Sequence, residues 1–274
     1  MSGFPSPLRL VVRQARYQLL FFRRVPIALF FTLLLPIVML VLFNSIFGDD
    51  VVCPTDDCGP GEGWSIQQFY TGGLAAFTAV SATFTNLANM VPLRRDEGVL
   101  KRWRGTPLPT WAYIAGFIVS AVVIAVVGVA IMLAMGVVLY DLEIDPAKLP
   151  AMIVTFLVGV SSFAALGMAL ASLVRSASSA SAAANAVILP LAFVSDVFIV
   201  SDRNNRFLDA VGSVFPLKPF VNAFQDCFSP FVDAPGFDWP ALGFVAAWGV
   251  LGAVVAVRKF QWEPSGTAPR SRRR

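Results

Sequence analysis

Six long stretches of the chain carry almost no charge: Val25 to Phe47, Phe69 to Leu93, Trp111 to Tyr140, Leu149 to Val174, Ala180 to Val200 and Trp239 to Val257. At a rise of about 1.5 Å per residue, about 20 residues cross the hydrocarbon of a bilayer as an α-helix, and each stretch reaches that range. Composition agrees. Only 14% of the 274 residues are charged, against about a quarter in a soluble domain, so most side chains never face water. The chain reads as an all-α integral membrane protein with six transmembrane helices. Its first stretch is too long for the core of a signal peptide and no small-residue cleavage pattern comes after it, so it reads as an anchor. The third is long enough to tilt or to extend beyond the bilayer.

Orientation follows from the basic residues, which stay cytoplasmic near span ends. With the N-terminus inside, 17 of the 21 lysines and arginines fall on the cytoplasmic side, while the outer side keeps Lys148, Arg203, Arg206 and Lys218. The outer side also gathers Asp49, Asp50, Asp56, Asp57, Glu62, Asp141, Glu143 and Asp145. Both termini are therefore expected in the cytoplasm. Three parts result: residues 1–24, a cytoplasmic interfacial amphipathic helix; 25–257, the six-span domain; and 258–274, a basic cytoplasmic tail.

In the first part, Arg9, Arg13 and Arg16 fall in a narrow arc, with Leu8, Val11, Val12, Ala15, Leu19 and Phe22 opposite. That pattern suits a helix lying in the membrane surface, although a plain basic flank would look similar. In the first outer loop, Cys53 and Cys58 lie five apart in a turn-rich run on the oxidising face, which favours a local disulfide, with Cys227 as the competing partner. No histidine is present to complete a metal site. The connection from Ser201 to Asp238 is too long for a turn and too apolar for a solvated loop. Phe220, Phe224, Cys227, Phe228 and Phe231 recur there at helical spacing, which predicts an outer helical segment dipping into or lying on the outer leaflet.

Several functions are excluded at this level. The lack of histidine removes the commonest general base and metal ligand, and no acid, base and nucleophile converge, so the chain is expected not to be an enzyme. No G-x-x-x-x-G-K-[ST] run occurs to cradle a triphosphate. Gradient coupling calls for ionisable groups near the midplane, and the spans hold only Asp196, close to an outer end, where it reads as an interfacial cap or salt-bridge partner. On the second span, Thr71, Thr78, Ser81, Thr85, Asn86 and Asn89 share an arc of about 140°. This stripe suits a translocation path or subunit interface, or polar bonding between helices. The small residues from Ser176 to Asn185 suit close helix packing, and Pro36 and Pro190 each remove a backbone donor from a span.

Between the second and third spans lies the densest charge cluster, Leu93-Arg-Arg-Asp-Glu-Gly-Val-Leu-Lys-Arg-Trp-Arg-Gly-Thr-Pro-Leu-Pro109, with a short helix expected from Asp96 to Arg104. This cytoplasmic knob resembles the E-x-G-x-L-x-R-x-x-x-T-P-L stretch of permease subunits of ABC-2 type exporters, the class that includes daunorubicin-resistance-type permeases. Val214-Phe-Pro-Leu-Lys-Pro-Phe220 is similar to the proline-centred segment of that family, whereas Ser195 to Asp202 departs from its usual pattern. The resemblance implies that Arg95, Glu97, Gly98, Arg102, Thr106 and Pro107 form a coupling helix for a separate ATP-binding subunit. It further implies two copies of that subunit, holding ATP and magnesium, and a second permease copy or paralogue. This chain would carry no cofactor of its own, contact membrane lipid and no nucleic acid, and sit in a bacterial plasma membrane. It would move an amphipathic or lipophilic substrate (drug, lipid or glycan) outward, with antibiotic resistance as one outcome. The rival readings are a gradient-driven carrier and a non-transporting anchor or assembly factor.

Overall fold

The computed structural model describes residues 6–23, 26–47, 51–52, 63–105, 109–198 and 206–260. It is built of helices: α1 (Pro7–Arg23), α2 (Pro26–Phe47), α3 (Ile66–Val80), α4 (Asn86–Asp96), α5 (Val99–Arg104), α6 (Thr110–Tyr140), α7 (Leu149–Leu173), α8 (Ala177–Val194), α9 (Arg206–Val214), α10 (Leu217–Gln225) and α11 (Trp239–Lys259). A π-helical segment, Ser81–Thr85, joins α3 to α4, making one helix of 31 residues from Ile66 to Asp96. Among the described residues, five helices are long and apolar enough to cross a membrane, and α2 adds a 22-residue apolar helix. The chain is an all-α membrane protein.

Apolar association cannot hold helices together in lipid as it does in water, so close packing of small side chains has to. The buried face of α7 obeys that rule with Ala151, Gly159, Ala164, Ala165, Gly167, Ala169 and Ala171. It packs most extensively on α11, where Gly249 and Gly252 lie against Ser162 and the Ala165–Leu166 backbone. The long α3–α4 helix runs through the middle of the bundle, touching α2, α6, α7, α8 and α10. A larger apolar cluster around Phe69, Tyr70, Phe77, Phe198, Phe220, Phe224 and Phe228 fills one end. A smaller one, with Leu87, Val91, Leu100, Tyr113, Phe117 and Met168, fills the other.

The ends differ in charge. One gathers Arg94, Arg95, Lys101, Arg102, Arg175, Arg258 and Lys259, and the other Glu143, Asp145, Asp226, Asp233 and Asp238. At the acidic end a two-residue ribbon pairs Val51 with Ser65 and Val52 with Trp64. Cys53 and Cys58 lie outside the described residues. Cys227, the competing partner, is a buried free thiol that donates to the Ala223 carbonyl.

Three expectations need correction. Helix α8 stops at Val194 and not at Val200, because Asp196 adopts a left-handed conformation, φ 57°, which ends a helix. The outer connection holds two short helices, not one long face. Helix α10 ends at Gln225 and leads into a 3-10 turn over Asp226–Phe228, so Phe220, Phe224 and Cys227 are buried while Phe231 is exposed. Helix α10 packs on α3, α7 and α11. The charged cluster does not form one helix from Asp96 to Arg104, since α4 runs through Asp96 and a turn at Glu97 and Gly98 starts α5.

Candidate functional site

Helix α4 ends by the common glycine device. The Glu97 N–H donates to the Leu93 carbonyl and the Gly98 N–H to the Arg95 carbonyl, both at 3.0 Å. Gly98 has φ +72°, and a Cβ there would meet nothing within 4 Å, so the need for glycine is conformational alone. The reversed chain then forms α5, whose Leu100 is fully buried in the smaller apolar cluster. That anchor turns Glu97, Lys101 and Arg102 outward, all exposed. The result is a compact knob carrying charges of both signs. Thr106 and Pro107 lie outside the described residues.

Arg95 does not belong to this exposed set. Its side chain is 1% exposed, donating to the Val174 carbonyl at 2.6 Å and to the Ala171 carbonyl at 3.4 Å. The reason is local: α7 ends at Leu173 and leaves carbonyls without partners, which a buried guanidinium can satisfy. Arg94 is buried too, donating to Gln18 of α1 and lying 4.9 Å above the Phe117 ring of α6. Asp96 Oδ2 accepts the Ala177 N–H, the first of α8, at 2.7 Å. Three consecutive residues thus hold four elements: α1 and α6 through Arg94, the end of α7 through Arg95, and the start of α8 through Asp96. Counted back from Gly98, the acid of the E-x-G pattern falls on Asp96, which anchors α8, and not on Glu97.

Helix α1 packs on α6 through Gln14, Ala15 and Gln18, which are buried, while Arg9, Arg13 and Arg16 on its far side are exposed. The apolar residues divide, with Ala15 against the protein and Leu8 and Val12 exposed. Hydrophobic periodicity could not show that two glutamines form the protein-facing edge.

The polar stripe of α3 and α4 is split. Thr71 and Thr78 are fully buried, and their hydroxyls donate to the Gln67 and Leu74 carbonyls one turn back, at 2.6 and 2.7 Å. The π-helical segment inserts an extra residue per turn and rotates the remainder of the helix relative to α3. Thr85, Asn86 and Asn89 are only partly buried, and Thr85 Oγ1 and Asn89 Oδ1 are enclosed without a hydrogen-bond partner among the described residues. Asn86 also lines a cavity of about 10 Å³ with Gln18, Arg94 and Ser120. No constant 100° step predicts this division.

At the acidic end, Asp196 pairs with Lys218 of α10 at 3.3 Å. Gln225 donates to the Phe69 and Asp196 carbonyls at 3.2 and 3.3 Å. A cleft of about 640 Å³ lies nearby, lined by Gln68, Glu143, Asp145, Lys148, Ser229 and Asp233 among others. Lys148 is buried in its wall and donates to the Ser229 carbonyl at 2.6 Å. Among the described residues no group of histidine, cysteine and acidic side chains is arranged to hold a metal.

In comparison with protein families, the model described as ABC-2 type transporter matches residues 10–228. No curated protein matches the chain.

Proposed function

Because the chain belongs to the ABC-2 type transporter family and is therefore the multi-pass permease subunit of an ABC transporter, we propose that its exposed knob docks an ATP-binding subunit whose closure drives export. The observation that carries this reading is the division of labour within Arg94 to Arg102. Arg94, Arg95 and Asp96 anchor the helices, and Glu97, Lys101 and Arg102 are left to face a partner. Exposed charges of both signs on a rigid turn give an oriented, salt-sensitive contact.

In the full assembly, two copies of the ATP-binding subunit serve this chain and a second permease copy or paralogue. Helix α2 supplies the sixth span, the basic end faces the cytoplasm with both termini, and the acidic end faces outward. Charge bias supports that orientation, since cytoplasmic flanks collect lysine and arginine. The substrate is amphipathic or lipophilic, and the membrane is the bacterial plasma membrane.

Coexpression with a candidate Walker-motif ATP-binding subunit tests the reading. The expected result is a copurifying complex that hydrolyses ATP and moves a lipophilic probe out of the cytoplasmic side of reconstituted vesicles. A chain that purifies alone, and transports only when a proton or sodium gradient is imposed, would support the carrier reading instead.

A further inference from the structure

The knob is not an isolated projection, because its root is fixed to a second loop at the same end of the bundle. Only Val174, Arg175 and Ser176 separate α7 from α8, and three residues reach about 10 Å at most. Arg95 holds the near side of this loop through the Val174 and Ala171 carbonyls, and Asp96 holds the far side through the Ala177 N–H. Each charge matches the helix end it meets. The cation sits on the carbonyl end of α7 and the carboxylate on the amide end of α8, where helix dipoles favour those signs. Ser176 completes the start of α8 by accepting the Ser179 N–H.

At its other end α8 leads into Asp196, which pairs with Lys218 of α10. Between these ends the buried residues of α8 are Ala180, Ala184, Ile188 and Ala192, a mostly small stripe, and the helix packs chiefly on α4. A helix is a stiff element, so a push at its clamped start is carried along its length.

The geometry points to Arg95 and Asp96 as positioning residues that clamp the α7–α8 loop to the root of the knob, so that displacement of the knob carries α8 with it. This rests on the knob being the docking site of the ATP-binding subunit, and it adds the route by which docking reaches a second span. Arg95 touches no partner in this scheme. It acts through the loop, as does Asp96.

The test is hydrogen exchange read by mass spectrometry on the full chain in lipid nanodiscs, with and without its ATP-binding subunit. The variants are Asp96→Ala, Asp96→Asn and Arg95→Met. Without the subunit, Asp96→Ala is expected to speed exchange at the start of α8 by about tenfold or more, the range of a lost hydrogen bond to a charged group. Asp96→Asn keeps an oxygen acceptor and is expected to restore most of the protection. With the subunit bound, ATP is expected to change exchange across residues 171–185 in wild type and Asp96→Asn, and to lose that effect in Asp96→Ala and Arg95→Met. Asp96 is exposed, so its variants test the clamp even if loss of the buried Arg95 impairs folding. Unaltered exchange at Ala177 in Asp96→Ala would overturn the clamp. An undiminished ATP response in Asp96→Ala, with the subunit still bound, would overturn the transmission. A wild-type chain that binds no ATP-binding subunit would instead defeat the docking reading and the transmission with it, whatever the subunit-free exchange shows of the clamp.

Discussion

Lys218 Nζ lies 3.3 Å from Asp196 Oδ2, with both side chains largely buried, so the residue that ends α8 is tied to the helix that packs beneath it. Breaking a buried pair from one side leaves a charge without its partner. Lys218→Met is expected to cost about 3 kcal/mol, and Asp196→Asn in the same chain to recover part of it. Thermal unfolding in detergent, run as a double-mutant cycle, measures this coupling. Strictly additive effects would show that the pair contributes nothing.

Phe220 of α10 lies directly against Gly159 of α7, where a Cβ would collide with its ring. Gly159→Val is expected to destabilise the fold by about 2 kcal/mol or more through overpacking. Phe220→Ala in the same background should relieve part of the strain, which thermal unfolding would register as a partial recovery over Gly159→Val alone.

At Gly98 the demand is backbone conformation and not space. Gly98→Ala places a Cβ in the left-handed region at a cost of about 1–2 kcal/mol. Because that strain falls at the root of the knob, the variant is expected to lose most of the stimulation of the partner ATPase while still inserting in the membrane. ATPase assays on the reconstituted complex check it.

Asp226, at the turn after α10, is raised to about 6 by burial and by nearby Asp238, with Lys148 opposing. A raised carboxyl binds its proton more tightly in the folded state than in the unfolded one. The resulting stability is present below the usual carboxylate value and is lost as pH rises through about 4 to 6. Asp226→Asn is therefore expected to raise the Tm at pH 7 and to leave it nearly unchanged at pH 4. A melting series across that range decides it.

Much of this architecture is legible in the sequence because a bilayer imposes a length and a polarity that few residues can evade. The low charge of the stretch from Trp111 to Tyr140 is read as a long helix for that reason, whereas the helix break at Gly98 is missed by a reading that runs one helix from Asp96 to Arg104. What stays hidden is the direction in which a charge points. Arg94, Arg95, Lys101 and Arg102 look alike in the sequence, and only the carbonyls open at the end of α7 for Arg95, and Gln18 with the Phe117 ring for Arg94, separate the anchors from the exposed pair. Likewise, the π-helical segment at Ser81–Thr85 shifts the helix phase without a sequence signal, so Thr71 and Asn89 cannot be put on their true faces by periodicity.

Charge reversal at the two outward residues of the knob addresses the central claim most directly. In the double variant Glu97→Lys, Arg102→Glu both altered positions are exposed, so folding and insertion should be largely preserved. The account predicts that the chain still enters the membrane but no longer copurifies with the ATP-binding subunit or stimulates its ATPase. Full association and unchanged export by that variant would contradict it.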